Sequence, residues 1–115
     1  MFRPFFGNCV EDVDLCLRIL SKHKGYNMEE VLYDYRILSS SISRTGVTRN
    51  KWLNDCIARR LYQERIDQGY DSLMRKGDQF DKLYNQCNKP FIENPLKIYN
   101  DTAAFYLWYH LDKSE

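Results

Sequence analysis

The fold is decided by residues 47–69, which read VTRNKWLNDCIARRLYQERIDQG. Leu53, Ile57 and Leu61 recur at four-residue intervals, the spacing of one face of an α-helix. Thr48 can begin this helix because its hydroxyl can accept a hydrogen bond from a first-turn N–H. Gly69 can end it, since glycine readily leaves the helical conformation. The stretch therefore predicts an amphipathic helix that starts at Thr48 and stops near Gly69.

Two further helices are predicted before this one. Asn8 can cap the first, with Glu11 as its capping-box partner, and Gly25 supplies a stop. Asn27 can cap the second, whose apolar positions recur at helical spacing through residues 31–42. The apolar stripe predicted for the first helix consists of Val13, Cys16, Leu17 and Leu20.

Two more helices are predicted after it. A fourth helix is expected around residues 71–87, interrupted by Gly77 and ended by Pro90. A last helix begins after Asn94-Pro95, or at Asp101 with residues 91–100 extended. Four to five helices joined by short turns predict an all-α fold, either a small bundle or an orthogonal array. We expect an aromatic N-terminal arm over residues 1–7 and a single helical domain over residues 8–115.

Basic residues crowd the first half of the central helix. The chain as a whole carries a formal net charge of only +1. A helix N-terminus already carries partial positive charge, so basic residues there favour a nearby anion. The segment is expected to meet a partner's acidic surface or a phosphate, with a simply solvated face as the alternative. The residues predicted to make this contact are Arg44, Arg49, Lys51, Arg59 and Arg60.

Residues 44–58, which read RTGVTRNKWLNDCIA, resemble the turn and second helix of ribbon-helix-helix repressors and, more loosely, of helix-turn-helix domains. The resemblance implies a nucleic-acid-binding domain with Arg44, Arg49 and Lys51 on phosphates. The sequence departs from the family before the preceding helix. A ribbon-helix-helix protein places a strand there, whereas this chain has residues 25–27 and a complete additional helix. The balanced total charge also argues against binding DNA.

Aromatic residues are concentrated at both ends of the chain. Three phenylalanines precede the first helix, and residues 105–111 are apolar or aromatic almost all round. The N-terminal arm either folds back over its own helices or docks on a neighbouring subunit. An apolar C-terminal helix in so small a domain favours a contact surface. The predicted docking residues are Phe2, Phe5, Phe6, Tyr106, Trp108 and Tyr109.

The sequence gives little support to catalysis. Cys9, Cys16, Cys56 and Cys87 form no close Cys-x-x-Cys pair, which disfavours a zinc site. We interpret them as free thiols on apolar faces, with a disulfide between two helices as the alternative. No phosphate-binding loop, serine-nucleophile motif or paired-histidine motif occurs. We therefore expect no enzyme activity, no catalytic or metal-binding residues, and no cofactor.

These observations favour a function that depends on contact. We expect a non-enzymatic accessory or scaffold subunit of a larger protein assembly, with other protein subunits as partners. The chain lacks a secretory signal pattern and any apolar stretch long enough to span a bilayer. We expect an intracellular protein, cytoplasmic or organellar, with mitochondria among the compartments allowed. Peripheral association with a membrane through a protein complex is compatible with this hypothesis. A nucleic-acid-binding domain is the alternative function.

Overall fold

The computed structural model describes residues 1–34, 49–75 and 77–111, with the backbone alone for Tyr106 and residues 109–111. Over these ranges it contains a short 3₁₀ helix, four α-helices and no strand. The predicted all-α fold is confirmed. The 3₁₀ helix spans Pro4–Phe6, and the α-helices are α1 (Glu11–Leu20), α2 (Arg49–Gln68), α3 (Asp78–Glu93) and α4 (Lys97–Leu111).

Helix α2 lies at the centre and follows the sequence prediction closely. Leu53, Ile57 and Leu61 are buried, with α1 and α3 packed against the helix. Ile66, the next large aliphatic residue along the helix, is exposed. Arg65 occupies the buried position beside it because its guanidinium pairs with the buried Asp71.

Helix α1 differs from its prediction at both ends and in its buried face. It begins at Glu11 after Val10, whose φ of 73° is left-handed, and no side chain caps it. The predicted Asn8 capping box is therefore wrong. The helix also ends at Leu20, before Gly25. Asp14 points inward, and the predicted stripe residue Cys16 is exposed. The face is rotated because Arg3 supplies an ionic partner for Asp14, which apolar periodicity does not reveal.

The helix predicted from Asn27 does not form over residues 27–34, which contain no helical turn. The rest of that prediction, residues 35–42, lies outside the described residues. Tyr26 and Val31, which lie on either side of the predicted helix start, are both exposed. A short helix is marginal without tertiary packing of its apolar face, and Val31 has no such packing.

Helix α3 starts later and ends later than predicted. Gly77 precedes its first residue instead of interrupting it. The helix then continues through Pro90, where the sequence predicted its end. Proline in a helix interior costs one backbone hydrogen bond. Here Cys87 and Phe91 are buried on either side of Pro90, so core packing outweighs that loss.

A tight turn joins α3 to α4. The Asn94 side-chain oxygen accepts a hydrogen bond from the Leu96 N–H at 3.2 Å, and the Asn94 carbonyl accepts one from the Lys97 N–H at 3.0 Å. Helix α4 begins at Lys97, so the alternative of an extended segment over residues 91–100 is wrong. None of the helices that the structure describes is long and apolar enough to cross a bilayer.

Candidate functional site

The N-terminal arm lies against the helices of its own chain. Phe6 is buried in the core that α2 and α3 form. Phe5 packs edge-on against Phe6 and against Phe80 of α3, with ring centroids 5.1 and 5.2 Å apart. Phe2 remains largely exposed. Of the predicted docking residues on the arm, Phe6 therefore has almost no surface to offer a partner, whereas Phe5 and Phe2 are 38% and 53% exposed.

An ionic cluster that sequence reasoning missed anchors this arm. Arg3 donates to Asp14 of α1 through Nε at 2.9 Å and to Asp71 through Nη1 at 2.9 and 3.0 Å. Both carboxylates are fully buried. Arg18 and Arg65 pair with the same two carboxylates. Burial alone would lower the pKa of Arg3, but the hydrogen bonds and charges of Asp14 and Asp71 raise it. One arginine thus joins the arm, α1 and the α2–α3 turn.

Asp71 also organises the turn after α2. Its carboxylate accepts hydrogen bonds from the backbone N–H groups of Leu73 and Met74, at 3.1 and 3.0 Å. The adjacent Ser72 N–H donates to the Glu64 carboxylate at 2.7 Å. The only sequence signal for this arrangement is an aspartate that directly follows Gly69-Tyr70, which is an ordinary turn composition. The long-range partner, 68 positions away, has no local signature.

The predicted basic contact residues do not form one surface. At about 100° per residue, Arg49 and Arg60 fall on nearly the same side of α2, whereas Lys51 and Arg59 fall about 200° and 280° away from Arg49. Arg49 donates to the Asn88 side chain of α3. The Lys51 ammonium lies 5.1 Å from the centre of the Phe105 ring of α4.

The remaining basic residues also have separate surroundings. Arg59 pairs with Asp55 at 2.8 Å, and this hydrogen bond is the main reason that the pKa of Arg59 is raised. Arg60 borders a different groove, between α2 and α3. Arg44 lies outside the described residues. The basic residues are close together in the sequence, but the rotation of the helix places the described ones on different sides of α2.

A groove of about 620 Å³ lies between the start of α1, the first half of α2, and α4. Lys51 and Arg59 line it, but so do Glu11, Asp12 and Asp55. The charged side chains in this groove therefore do not favour an anion. Its floor is aromatic: the Trp52 and Phe105 rings meet edge-on with centroids 6.2 Å apart. The Trp52 indole N–H donates to the Thr102 hydroxyl at 3.4 Å and ties α2 to α4.

Helix α4 exposes several large apolar side chains on the side that faces away from the other described helices, where the polar Asn100 is exposed as well. Its inner side carries Ile98, Thr102 and Phe105. Tyr99 and Leu107 lie about 80° apart around the axis, on the outward part of the helix, and Leu96, which directly precedes α4, falls between them when the helical rotation is extended by one residue. The side chains of Leu96, Tyr99 and Leu107 are 64%, 71% and 63% exposed, respectively. We call Leu96, Tyr99 and Leu107 the outer face of α4.

The predicted docking residues on α4 lie beside this face. Trp108 is 66% exposed and flanks it. The side chains of Tyr106 and Tyr109 are outside the described residues. The predicted docking residues did not include Leu96, Tyr99 and Leu107, which helical spacing from the turn at Asn94 would have placed near one another.

The described residues show little that is typical of an active site. In the ranges 1–34, 49–75 and 77–111 there is no group of three or more His, Cys, Asp or Glu side chains that could hold a metal ion. Burial raises the pKa of the Cys9 thiol, with Glu11 acting in the same direction and Lys51 opposing it. That shift disfavours the thiolate that a cysteine nucleophile needs.

Comparison of the chain with protein-family models, with curated proteins and with solved structures finds no match.

Proposed function

We propose that this chain is a non-enzymatic accessory subunit of a larger protein assembly and that the outer face of α4 is covered by another subunit. The observation that carries the proposal is the exposure of Leu96, Tyr99 and Leu107 on one side of α4. A surface helix normally turns polar residues outward. Contiguous exposed apolar side chains instead mark contact sites, and tyrosine and tryptophan are enriched at such sites.

The flanks of α4 suit a protein partner. Lys97 and Asp101 form an ion pair at 2.9 Å beside the outer face, which gives the surface a polar edge. An apolar centre with a polar rim is the usual anatomy of a protein–protein interface. A helix that lies on an anionic membrane would instead need basic residues along its polar side. An intracellular compartment, and association with an organellar membrane through such an assembly, belong to this proposal.

The test is to fractionate the native source by size after expressing the tagged full chain. We expect the wild-type chain to elute with an assembly far larger than its 13.9 kDa. The double variant Tyr99→Asp/Leu107→Asp should elute as a folded monomer, because two carboxylates on the outer face oppose burial. Gln63→Asp, an exposed position on α2, is the matched control and should stay with the assembly. Elution of both variants with the assembly would refute the role of α4.

The nucleic-acid-binding alternative stays a prediction. It requires several basic residues to reach phosphates together, whereas the described ones point to different sides of α2. A phosphate-binding chain should be retained on heparin and released by rising salt, and Arg49→Glu/Lys51→Glu should abolish retention. We expect the wild-type chain to pass through heparin at low salt. Strong retention that this double variant abolishes would favour the alternative.

A further inference from the structure

Two cysteines from different helices meet inside the molecule. The Sγ atoms of Cys56 on α2 and Cys87 on α3 lie 2.8 Å apart, and the two residues are 31 positions apart in sequence. A disulfide bond has an S–S length of about 2.05 Å. The two sulfurs are therefore within about 1 Å of bonding distance, so a small movement of the side chains suffices to join them.

The pairing of the two helices brings these thiols together. Near the start of α2, Arg49 contacts Asn88 late in α3, whereas later in α2 Glu64 contacts Gln79 early in α3. Helices α2 and α3 therefore run antiparallel with a fixed register. The core residues Ile57 and Leu83 hold that register. The contact between the thiols is a consequence of the core packing and does not depend on a loop.

The two thiols differ in access. Cys56 is partly exposed, whereas Cys87 is buried. Burial, followed by the hydrogen bond and charge of Cys56, raises the pKa of Cys87 to about 12, with Arg60 acting in the opposite direction. An oxidant from solution can therefore reach Cys56 first. Cys87 is a thiol at neutral pH and must lose its proton before it can attack another sulfur.

We propose that Cys56 and Cys87 form an intramolecular disulfide by exchange with a small disulfide such as glutathione disulfide. The Cys56 thiolate attacks one sulfur of the donor, forms a mixed disulfide and releases the first donor thiol. The Cys87 thiolate then attacks Cys56 Sγ and releases the second. The two cysteine thiols lose two electrons, the donor disulfide gains them, and the two cysteine protons end on the two donor thiols. This inference stands apart from the proposed contact function.

The disulfide would lock the antiparallel pair on which the core is built. A cross-link that closes a loop of this length removes conformational entropy from the unfolded chain. For a domain of this size we expect the melting temperature to rise by about 10 °C or more on oxidation. Reduction should restore the original value.

The experiment treats the purified full chain with glutathione disulfide and follows intact mass, peptide mapping and melting temperature. We expect a loss of about 2 Da, a Cys56–Cys87 cross-linked peptide and the higher melting temperature, all reversed by dithiothreitol. Cys56→Ser and Cys87→Ala should each abolish the cross-link, whereas Cys16→Ser, an exposed cysteine on α1, should retain it.

Three results would overturn the proposal. One is a chain that keeps both thiols free after oxidation. Another is a stable glutathione adduct on Cys56 while Cys87 remains reduced. The third is a cross-link that involves Cys9 or Cys16 in the wild-type chain. The Cys56→Ser and Cys87→Ala variants test the cross-link independently. If one of them folds poorly, the other still shows whether the cross-link requires both cysteines.

Discussion

Helices α2 and α4 use apolar residues in opposite ways. In α2, Ile57 and Leu61 are fully buried by the chain itself. In α4, Tyr99 and Leu107 are exposed, although the inner side of the helix already packs on α2. The fold thus buries the apolar face that Leu53, Ile57 and Leu61 form on α2, whereas it leaves the outer face of α4 exposed. The difference shows that α2 builds the core, whereas the outer face of α4 is the surface that we propose a partner covers.

Among substitutions in or near α2, those in the buried ionic cluster should reduce the free energy of unfolding most. Asp71→Asn leaves Arg65 and Arg3 without their shared carboxylate, and removal of one partner of a buried ion pair typically costs about 3–5 kcal/mol. We expect a loss of this size in the free energy of unfolding, measured by urea denaturation. Asp67→Asn, an exposed position near the end of α2, is the control and should change stability by less than about 0.5 kcal/mol. Equal effects of the two variants would show that the buried ionic cluster does not stabilise the fold.

A matched pair of truncations compares the two helices directly. Ile57→Ala should cost about 2–5 kcal/mol because it opens a cavity in the core. Leu107→Ala should change the free energy of unfolding by less than about 0.5 kcal/mol, since its side chain is exposed in the isolated chain. Chemical denaturation of both variants gives the difference. A large loss for Leu107→Ala would mean that the outer face of α4 is packed within the chain.

A more gradual effect, spread over several pH units, should appear at alkaline pH through Cys87. Its folded-state pKa is raised to about 12, above the roughly 8.5 of an unfolded cysteine. The stability that it contributes is complete below about pH 8.5 and is lost as pH rises towards 12. The reduced chain should lose at most about 1.4 kcal/mol per pH unit across that window from this group. Cys87→Ala should show a shallower decline, and identical slopes would place Cys87 in contact with solvent.

The sequence predicts the elements whose signals are local. Apolar spacing and Gly69 were enough to place α2, because its buried face is continuous. The same reasoning failed at Asn27 and at Pro90, where the outcome depends on tertiary packing. Val31 lacks neighbours that would stabilise a helix, while Phe91 has a core to fill beyond the proline.

The candidate site was predicted only in outline. The aromatic composition of α4 indicated a contact helix, but which side remains uncovered depends on how Trp52 and Phe105 meet. The basic residues of α2 looked like one site because they are close in sequence, and helical rotation separates them. The ionic cluster around Arg3 could not be predicted from the sequence because its members come from three separate segments of the chain.

The most direct test of the central claim is site-specific photo-cross-linking in the native source. A photoreactive amino acid is placed at position 107 on the outer face of α4 and, in a second chain, at position 63 on α2. We expect position 107 to form a cross-link to a different protein and position 63 to form none. Cross-links from position 107 to lipid, to nucleic acid or only to a second copy of the chain, or the absence of any, would contradict this expectation.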